Sequence, residues 1–490
     1  MTTVLVLALL ILPLAVAAAC LWLPVSASRT ATVATGLISL AAVVLLVPGA
    51  AGHATVLWRY LRVDAISVVF LLATAFLYAS VAVYSVGYLR DEPGPGFRRY
   101  ARRFYAGLNL FAWAMLAAPL MSSLALLWIA IEVTTVVSAL LVAIENTDGA
   151  VEAAWKYVLI ASAGLGIALL ATVVMYYAGA RALGQPYDLT FASLLGVGGH
   201  LPATPVRLAF ALAVLGFGTK VGLFPVHTWL PDAHAEAPTP VSALLSGSLL
   251  AVSFYAILRY YQVALAALGP RFPQGVLLAF GVASLLLAAL YLLDQRDVKR
   301  LLAYSSVEHM GVLAIAVGFG APIALFGAFL HVLAHAAAKG NAFMAAGVLV
   351  HRYGTKNLAS IRGVLDRLPW TGPILLLTML ALFALPPFGI FRSEFLIVAG
   401  GLGASRTAAS AVLVVLVTVA FLGLAAAANR MLFAAPSDAP GAAAARGEPS
   451  AWMVVPLVAG LVVLLVLGVH PPDALSGLLS RAAADLGGMR

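Results

Sequence analysis

Charge is the first thing this sequence is short of. Asp, Glu, Lys and Arg make up 10% of its 490 residues and 63% are hydrophobic, whereas a water-soluble domain carries roughly 25% charged residues. A soluble fold is excluded. Cysteine is almost missing: Cys20 stands alone, which excludes an internal disulfide and a thiolate-held iron–sulfur cluster. No G-x-G-x-x-G turn in a strand–helix context and no P-loop occurs, so no cofactor is expected in this chain, and any driving electrons must pass through partner proteins. Polar stretches long enough for a separate domain are lacking too. The longest candidate, "AAPSDAPGAAAARGEPS" at 434–450, reads as a surface linker, so residues 1–490 read as a single membrane domain.

What is present is apolar length. Stretches of the roughly 20 residues needed to cross a bilayer recur at about 3–25, 31–48, 64–89, 104–120, 122–143, 153–178, 207–225, 239–261, 274–294, 300–319, 321–350, 372–398, 407–433 and 452–470. The expectation is an all-α polytopic membrane protein with about 14 transmembrane helices. The first run, "LVLALLILPLAVAAAC", is long enough for a signal sequence, but no Lys or Arg precedes it and the apolar stretch continues beyond Cys20, so it reads as a membrane helix.

Basic residues set the orientation. About sixteen of them fall in loops after odd-numbered spans, among them Arg29, Arg90, Arg98, Arg99, Lys156, Lys299, Arg352 and Lys356. About nine, among them Arg59, Arg62, Arg181 and Arg259, fall on the other side. The bias puts both termini outside the cytoplasm. The net charge of +9 is thereby a topology signal and not a nucleic-acid surface.

Lys220, Lys339, Arg392, Glu132 and Glu394 fall within the apolar spans, where each ionised group costs on the order of 2.5–3.5 kcal/mol by insertion scales. Such groups either lock helices together as structural pairs or line a proton or cation pathway. Broken helices favour the pathway. Pro225 interrupts the seventh span just after Lys220, and Pro386, Pro387 and Gly389 interrupt the twelfth just before Glu394; irregular backbone at that depth needs protein or water to satisfy it. The two breaks lie five helices apart, as two inverted five-helix repeats over about 104–262 and 274–433 would place them.

Between the breaks, "FGAFLHVLAHAAAKGNAF" repeats a titratable side chain every fourth residue: His331, His335 and Lys339. That spacing lays them on one helix face over roughly 12 Å, and neutral imidazole both donates and accepts a proton. Two such histidines also suit a haem or metal, but the sequence shows no persuasive partner pair, and no metal is expected. His227, Asp232 and His234 follow the Pro225 break and read as an entrance or as a loop capping the eighth helix. Glu308 and His309 read as opening the tenth helix, in a structural or a conducting role, and Lys156 as snorkelling to the interface or tuning Lys220.

"TKVGLFPVHTWLPDAHAEAPTPVSALLSG", "DQRDVKRLLAYSSVEHMG", "HVLAHAAAKGNAF" and "LPPFGIFRSEF" resemble the proton-conducting subunits shared by respiratory complex I, multisubunit cation/proton antiporters and energy-converting hydrogenases. The resemblance runs from about residue 60 to 435 and is greatest to the F-type subunits of hydrogenase-4. It implies that Glu132 pairs with Lys220, that Lys339 with His331 and His335 is the central relay, and that Glu394 is the outer transfer residue. It implies a bacterial or archaeal cytoplasmic membrane and transport of protons or Na⁺. The implied partners are the lipid bilayer, other membrane subunits and a peripheral module, either an iron–sulfur and nickel–iron hydrogenase-like enzyme or a carbonic-anhydrase-like protein. A gradient-driven cation/proton antiporter, a proton-driven inorganic-carbon uptake complex built with the carbonic-anhydrase-like partner, and a non-conducting scaffold are the alternatives. One position departs from the pattern: where many relatives carry Lys, His or Asn in the eighth helix, this chain has Ala251 with Ser246, Ser248 and Ser253 nearby.

Overall fold

The computed structural model describes residues 1–89, 95–435 and 446–488. Arg90 and most of the 434–450 linker lie outside the described residues. In chain order the helices are α1 (Thr2–Ala19), α2 (Val25–Gly52), α3 (Ala65–Tyr88), α4 (Pro95–Ala117), α5 (Leu124–Val142), α6 (Asp148–Leu183), α7 (Phe191–Gly196), α8 (Ala203–Val221), α9 (Trp229–Glu236) and α10 (Thr239–Leu244). They continue as α11 (Leu250–Leu268), α12 (Arg271–Leu292), α13 (Val298–Phe319), α14 (Pro322–Tyr353), α15 (Val364–Arg367), α16 (Thr371–Leu382), α17 (Gly389–Gly403), α18 (Thr407–Phe433), α19 (Ala451–Val469) and α20 (Asp473–Gly487).

Among the described residues, twelve helical segments are long and apolar enough to cross a membrane, one of them running through α10 and α11. Two expected spans fall outside that set. α4 spends its first turns on Arg98, Arg99, Arg102 and Arg103, and the twelfth span is split into α16 and α17, each shorter than a bilayer crossing. The seventh span is α8, long enough to cross by itself, and the chain breaks after it before the short helix α9. Gly222, at φ +83°, ends α8 two residues after Lys220, a left-handed turn that glycine adopts without a Cβ penalty. The break strands carbonyls of the last α8 turn, and the Trp229 indole donates to Thr219 O at 2.7 Å, as a chain interrupted at membrane depth requires.

Helices approach closely through small residues, because in lipid the packing of one helix on another replaces the hydrophobic effect. A Cβ on Gly216 of α8 would lie 2.5 Å from Ala168 N of α6, and one on Gly281 of α12 would lie 2.8 Å from Gly311 O of α13. These are contacts with backbone, so no side chain can yield to make room.

Three features were not read from the sequence. A two-stranded antiparallel hairpin, β1 (Thr55–Leu57) and β2 (Leu61–Val63), joins α2 to α3. α20 is a 15-residue amphipathic helix that buries Leu478, Leu479, Ala482 and Leu486. Arg259, counted above among the loop residues, instead lies inside α11 at 2% exposure and makes two 2.7 Å contacts to the Asp64 carboxylate. A long-range ion pair leaves no local pattern, which is why charge alone misplaces it. Burial by itself raises the Asp64 carboxyl, but Arg259 and Arg62 outweigh it and hold it well below the usual carboxylate range. The same Asp64 caps α3 in a reciprocal box with Ser67.

Candidate functional site

Two buried clusters follow from the helix breaks. The first surrounds Lys220, which is 0% exposed on the last turn of α8. Its ammonium donates to Thr135 Oγ1 of α5 at 2.7 Å and to the Tyr157 hydroxyl of α6. Tyr157 shares a further hydrogen bond of 2.7 Å with Ser138 Oγ and packs on the Trp229 ring at 4.4 Å. The shell touching Lys220 is thus built from neutral hydroxyls. Glu132, one helical turn before Thr135, is half-buried, and its Oε2 makes no hydrogen bond to another protein group. Lys220 and Glu132 are therefore neighbours on the α5 face without a direct contact in this arrangement.

The second cluster lies among α13, α14 and α17. His331, His335 and Lys339 are all 0% exposed on α14. Glu308 and His309, expected to open their helix, sit mid-way along α13 at 2% and 0% exposure, because the helix begins ten residues earlier at Val298. His309 Nδ1 lies 3.2 Å from His331 Nε2 and 3.9 Å from Glu394 Oε1. His331 Nδ1 lies 2.9 Å from Ser393 Oγ of α17. His335 extends the group, its ring centroid 5.3 Å from that of His309. Lys339 Nζ donates to Leu302 O at 3.2 Å. That carbonyl also accepts from Ser306 Oγ, which is 2.7 Å from Ser246 Oγ in the π-helical turn between α10 and α11.

The other expected site residues sort themselves by burial. His234 does not line an entrance: it is 0% exposed, neither ring nitrogen has a protein partner, and its ring stacks on Phe343 of α14 at 4.9 Å. Phe343 is one turn past Lys339, so α9, though short, turns this imidazole inward. His227 is also buried, at 5% exposure. Asp232 is half-buried and bridges Lys156 at 3.4 Å and Arg300 at 2.7 Å, while Lys156 also pairs with Glu152 at 2.7 Å. Lys156 makes no contact with Lys220 in that arrangement. Arg392 turns to the C-terminal end of α19, 3.1 Å from Val469 O.

Two clefts bear on the site, and one of them reaches the second cluster at Glu394. One of about 640 Å³ is lined by Glu145, Glu236, Lys299, His351 and Lys356. Lys299 and Lys356 donate to the carbonyls of Ala237 and Ala235 at 2.8 and 2.7 Å, where the C-terminal end of α9 favours cations. The other, about 360 Å³, reaches Glu394 between Phe383, Leu385, Phe391 and Phe395.

Residues 121–423 match the family described as NADH:quinone oxidoreductase/Mrp antiporter, transmembrane. The chain belongs to that family. It is 37% identical over 370 residues to the hydrogenase-4 component F homolog of Methylacidiphilum infernorum, covering 73% of this chain and 76% of the relative. It is 33% identical over 347 residues to hydrogenase-4 component B of Escherichia coli, of which it spans 50%, and 68% of this chain is covered. A chain of respiratory complex I from Thermus thermophilus, solved with bound NADH, superposes with a TM-score of 0.82 at 26% identity, covering 98% of this antiporter-family chain and 99% of that one. Both buried clusters lie within the matched segment. Sequence reasoning missed Thr135, Tyr157, Ser138, Ser306 and Ser393. Thr134, Thr135 and Ser138 form a hydroxyl stripe beside Glu132 that helical spacing makes legible, whereas the placement of Ser393 against His331 depends on helix packing alone.

Proposed function

We propose that this chain is the proton-translocating subunit of a multisubunit complex in a bacterial or archaeal cytoplasmic membrane, with both termini outside the cytoplasm. The observation that carries the reading is Lys220: a fully buried lysine whose direct partners are two hydroxyls, with the Glu132 carboxylate close by but detached. An ammonium in that setting is poised. Movement of Glu132 towards it favours the charged form, and withdrawal favours release of the proton. Two inverted repeats over 104–262 and 274–433 fit the parallel between α8 packed on α6 and α17 packed on α14, where Cβ atoms on Gly216 and Gly400 would fall 2.5 and 2.6 Å from backbone nitrogens of the long helices.

The 640 Å³ cleft is the entrance on the side of the odd-numbered loops. His234 is the link to Lys339, and Ser246 and Ser306 with intervening water complete the crossing in place of a polar residue at Ala251. From Lys339 the proton passes His335, His331 and His309 to Glu394, and leaves through the second cleft. The hydrogenase-4 relatives favour a redox-driven, hydrogenase-like peripheral module, with H⁺ preferred over Na⁺ because lysine and histidine carry protons. Purification in mild detergent followed by mass spectrometry tests the partner: iron–sulfur and nickel–iron subunits support the reading. A soluble zinc protein moves it to carbon uptake, and small membrane subunits alone move it to gradient-driven antiport. Lys220→Ala and Lys339→Ala are expected to assemble yet abolish proton transport in vesicles, and normal transport in either refutes the route.

A further inference from the structure

The sequence shows no persuasive partner pair for His331 and His335. Folding supplies partners from two other helices. The donor atoms of His309, His331 and Glu394 lie within 4.8 Å of one another, and all three residues are buried or nearly so, Glu394 at 8%. In a tetrahedral zinc site with ligand bonds of about 2.0–2.1 Å, donor atoms sit about 3.3–3.4 Å apart. The 3.2 Å between the two imidazole nitrogens already fits that value. The 3.9 Å from His309 to Glu394 needs to close by about half an ångström, and the edge from His331 to Glu394, bounded at 4.8 Å, by up to about 1.5 Å, which asks the Glu394 side chain to swing towards the two imidazoles.

The surroundings prepare one ligand. Ser393 Oγ donates to Ile390 O at 2.8 Å, so it can only accept from His331, at 2.9 Å. That contact puts the His331 proton on Nδ1 and leaves a lone pair on Nε2, aimed at His309, the arrangement in which an outer hydroxyl orients a metal-binding imidazole. His309 Nε2 has no protein partner, so the proton on that ring is free to sit there while Nδ1 ligates. Glu394 lines the 360 Å³ cleft, which supplies a way in and room for a water as fourth ligand.

We propose that His309, His331 and Glu394 form a binding site for a divalent transition-metal ion of the zinc class, and that the bound ion stops proton transfer by replacing the hydrogen bond between the two imidazoles. The block rests on the transport function proposed above; the binding does not. Equilibrium dialysis of the purified full chain against Zn²⁺, with metal analysis, is expected to give one ion per chain. Co²⁺ at the same site is expected to give the visible bands of a four-coordinate centre. His331→Gln and Glu394→Gln are expected to lose the ion and His335→Ala to keep it. Ser393→Ala, which removes no ligand, is expected to weaken binding about 10- to 100-fold. Absence of stoichiometric binding to the folded wild-type chain, or binding indifferent to His331→Gln and Glu394→Gln, overturns the site. In vesicles holding the complex, Zn²⁺ at saturating occupancy is expected to arrest transport. Undiminished transport at full occupancy overturns the block, whereas wild-type vesicles inactive without Zn²⁺ overturn the transport reading and leave the binding result standing.

Discussion

Tyr157→Phe and Thr135→Val together test whether the hydroxyls around Lys220 set its behaviour. Each substitution removes one oxygen from the ammonium and keeps the side chain's volume, so helix packing is preserved. Tyr157→Phe also retains the ring that lies 4.4 Å from Trp229. A hydrogen bond to a charged group contributes roughly 1.5–3 kcal/mol. At about 1.36 kcal/mol per factor of ten, one lost contact changes the stability of the hydrogen-bonded arrangement about 10- to 150-fold. Both contacts point at the same nitrogen, so their losses are coupled. After Tyr157→Phe alone, Thr135 Oγ1 at 2.7 Å still holds the ammonium, and transport is expected to fall by about tenfold, the lower end of that range. In the double variant the ammonium has neither hydroxyl and turns to Glu132, the remaining acceptor on the α5 face. A lysine locked to a carboxylate does not release its proton, so transport is expected to stop. The assay is acidification of inverted vesicles containing the assembled complex, followed with a pH-sensitive dye, with subunit content checked by blotting. Wild-type rates in the double variant at normal subunit content refute the reasoning.

His234→Phe keeps the stack on Phe343 and removes both ring nitrogens; transport is expected to fall at least tenfold while thermal stability of the detergent-solubilised chain is unchanged. Asp64→Leu leaves Arg259 buried and unpaired, a loss of about 3–5 kcal/mol, and is expected to lower the melting temperature sharply, with Asp64→Leu/Arg259→Met recovering much of it. Because the folded Asp64 carboxyl titrates below its ordinary value of 3.8, the pair contributes fully above that pH and loses its contribution only as pH falls through the folded value. Melting temperatures are therefore expected to show no step from this pair between about pH 8 and 5. Gly216→Val sets a Cβ 2.5 Å from Ala168 N; overpacking of this kind costs about 1–3 kcal/mol, and the α6–α8 contact that positions Lys220 is expected to open, seen as lost transport with a lowered melting temperature.

The membrane architecture was legible because a bilayer imposes a length and a composition on each crossing, and both are properties of contiguous sequence. For the same reason Lys220, Lys339 and Glu394 stood out: an ionisable residue in an apolar run needs no partner to be conspicuous. The breaks beside them were legible in Pro225 and Pro386–Pro387. What escaped was everything that depends on which faces meet. Glu308 and His309 were read as opening their helix although the apolar span from about residue 300 already carries them towards its middle, as α13 from Val298 does; what contiguous sequence does not give is the helices they meet there. His309 and His331 are 22 residues apart on different helices, so their 3.2 Å contact exists only after α13 and α14 pack. Arg259 was assigned to a loop by its charge, although a carboxylate 195 residues away pairs with it inside the protein.

The same distinction bears on the eighth-helix position at Ala251, where the sequence departs from the pattern the resemblance implies. Ala251 offers nothing to a proton, which left the link between the two halves open. Of the nearby serines, Ser248 turns to Thr74 of α3 at 2.7 Å and Ser253 bonds its own helix at Leu249 O, whereas Ser246 turns to Ser306. The π-helical turn over Leu245–Leu249 shifts the register of the side chains there, so the polar face that meets α13 comes before the position the family pattern points to. His234 approaches the same region from α9, against Phe343 and one helical turn from Lys339. In the route proposed above, this histidine and the serine pair between the π-helical turn and α13 are the donors and acceptors that make the crossing without a titratable residue at position 251. If that route holds, Ala251→His restores transport to His234→Phe by returning a titratable group to the eighth helix. Failure of Ala251→His to rescue, in a protein that assembles normally, places the crossing elsewhere than between α9 and α14.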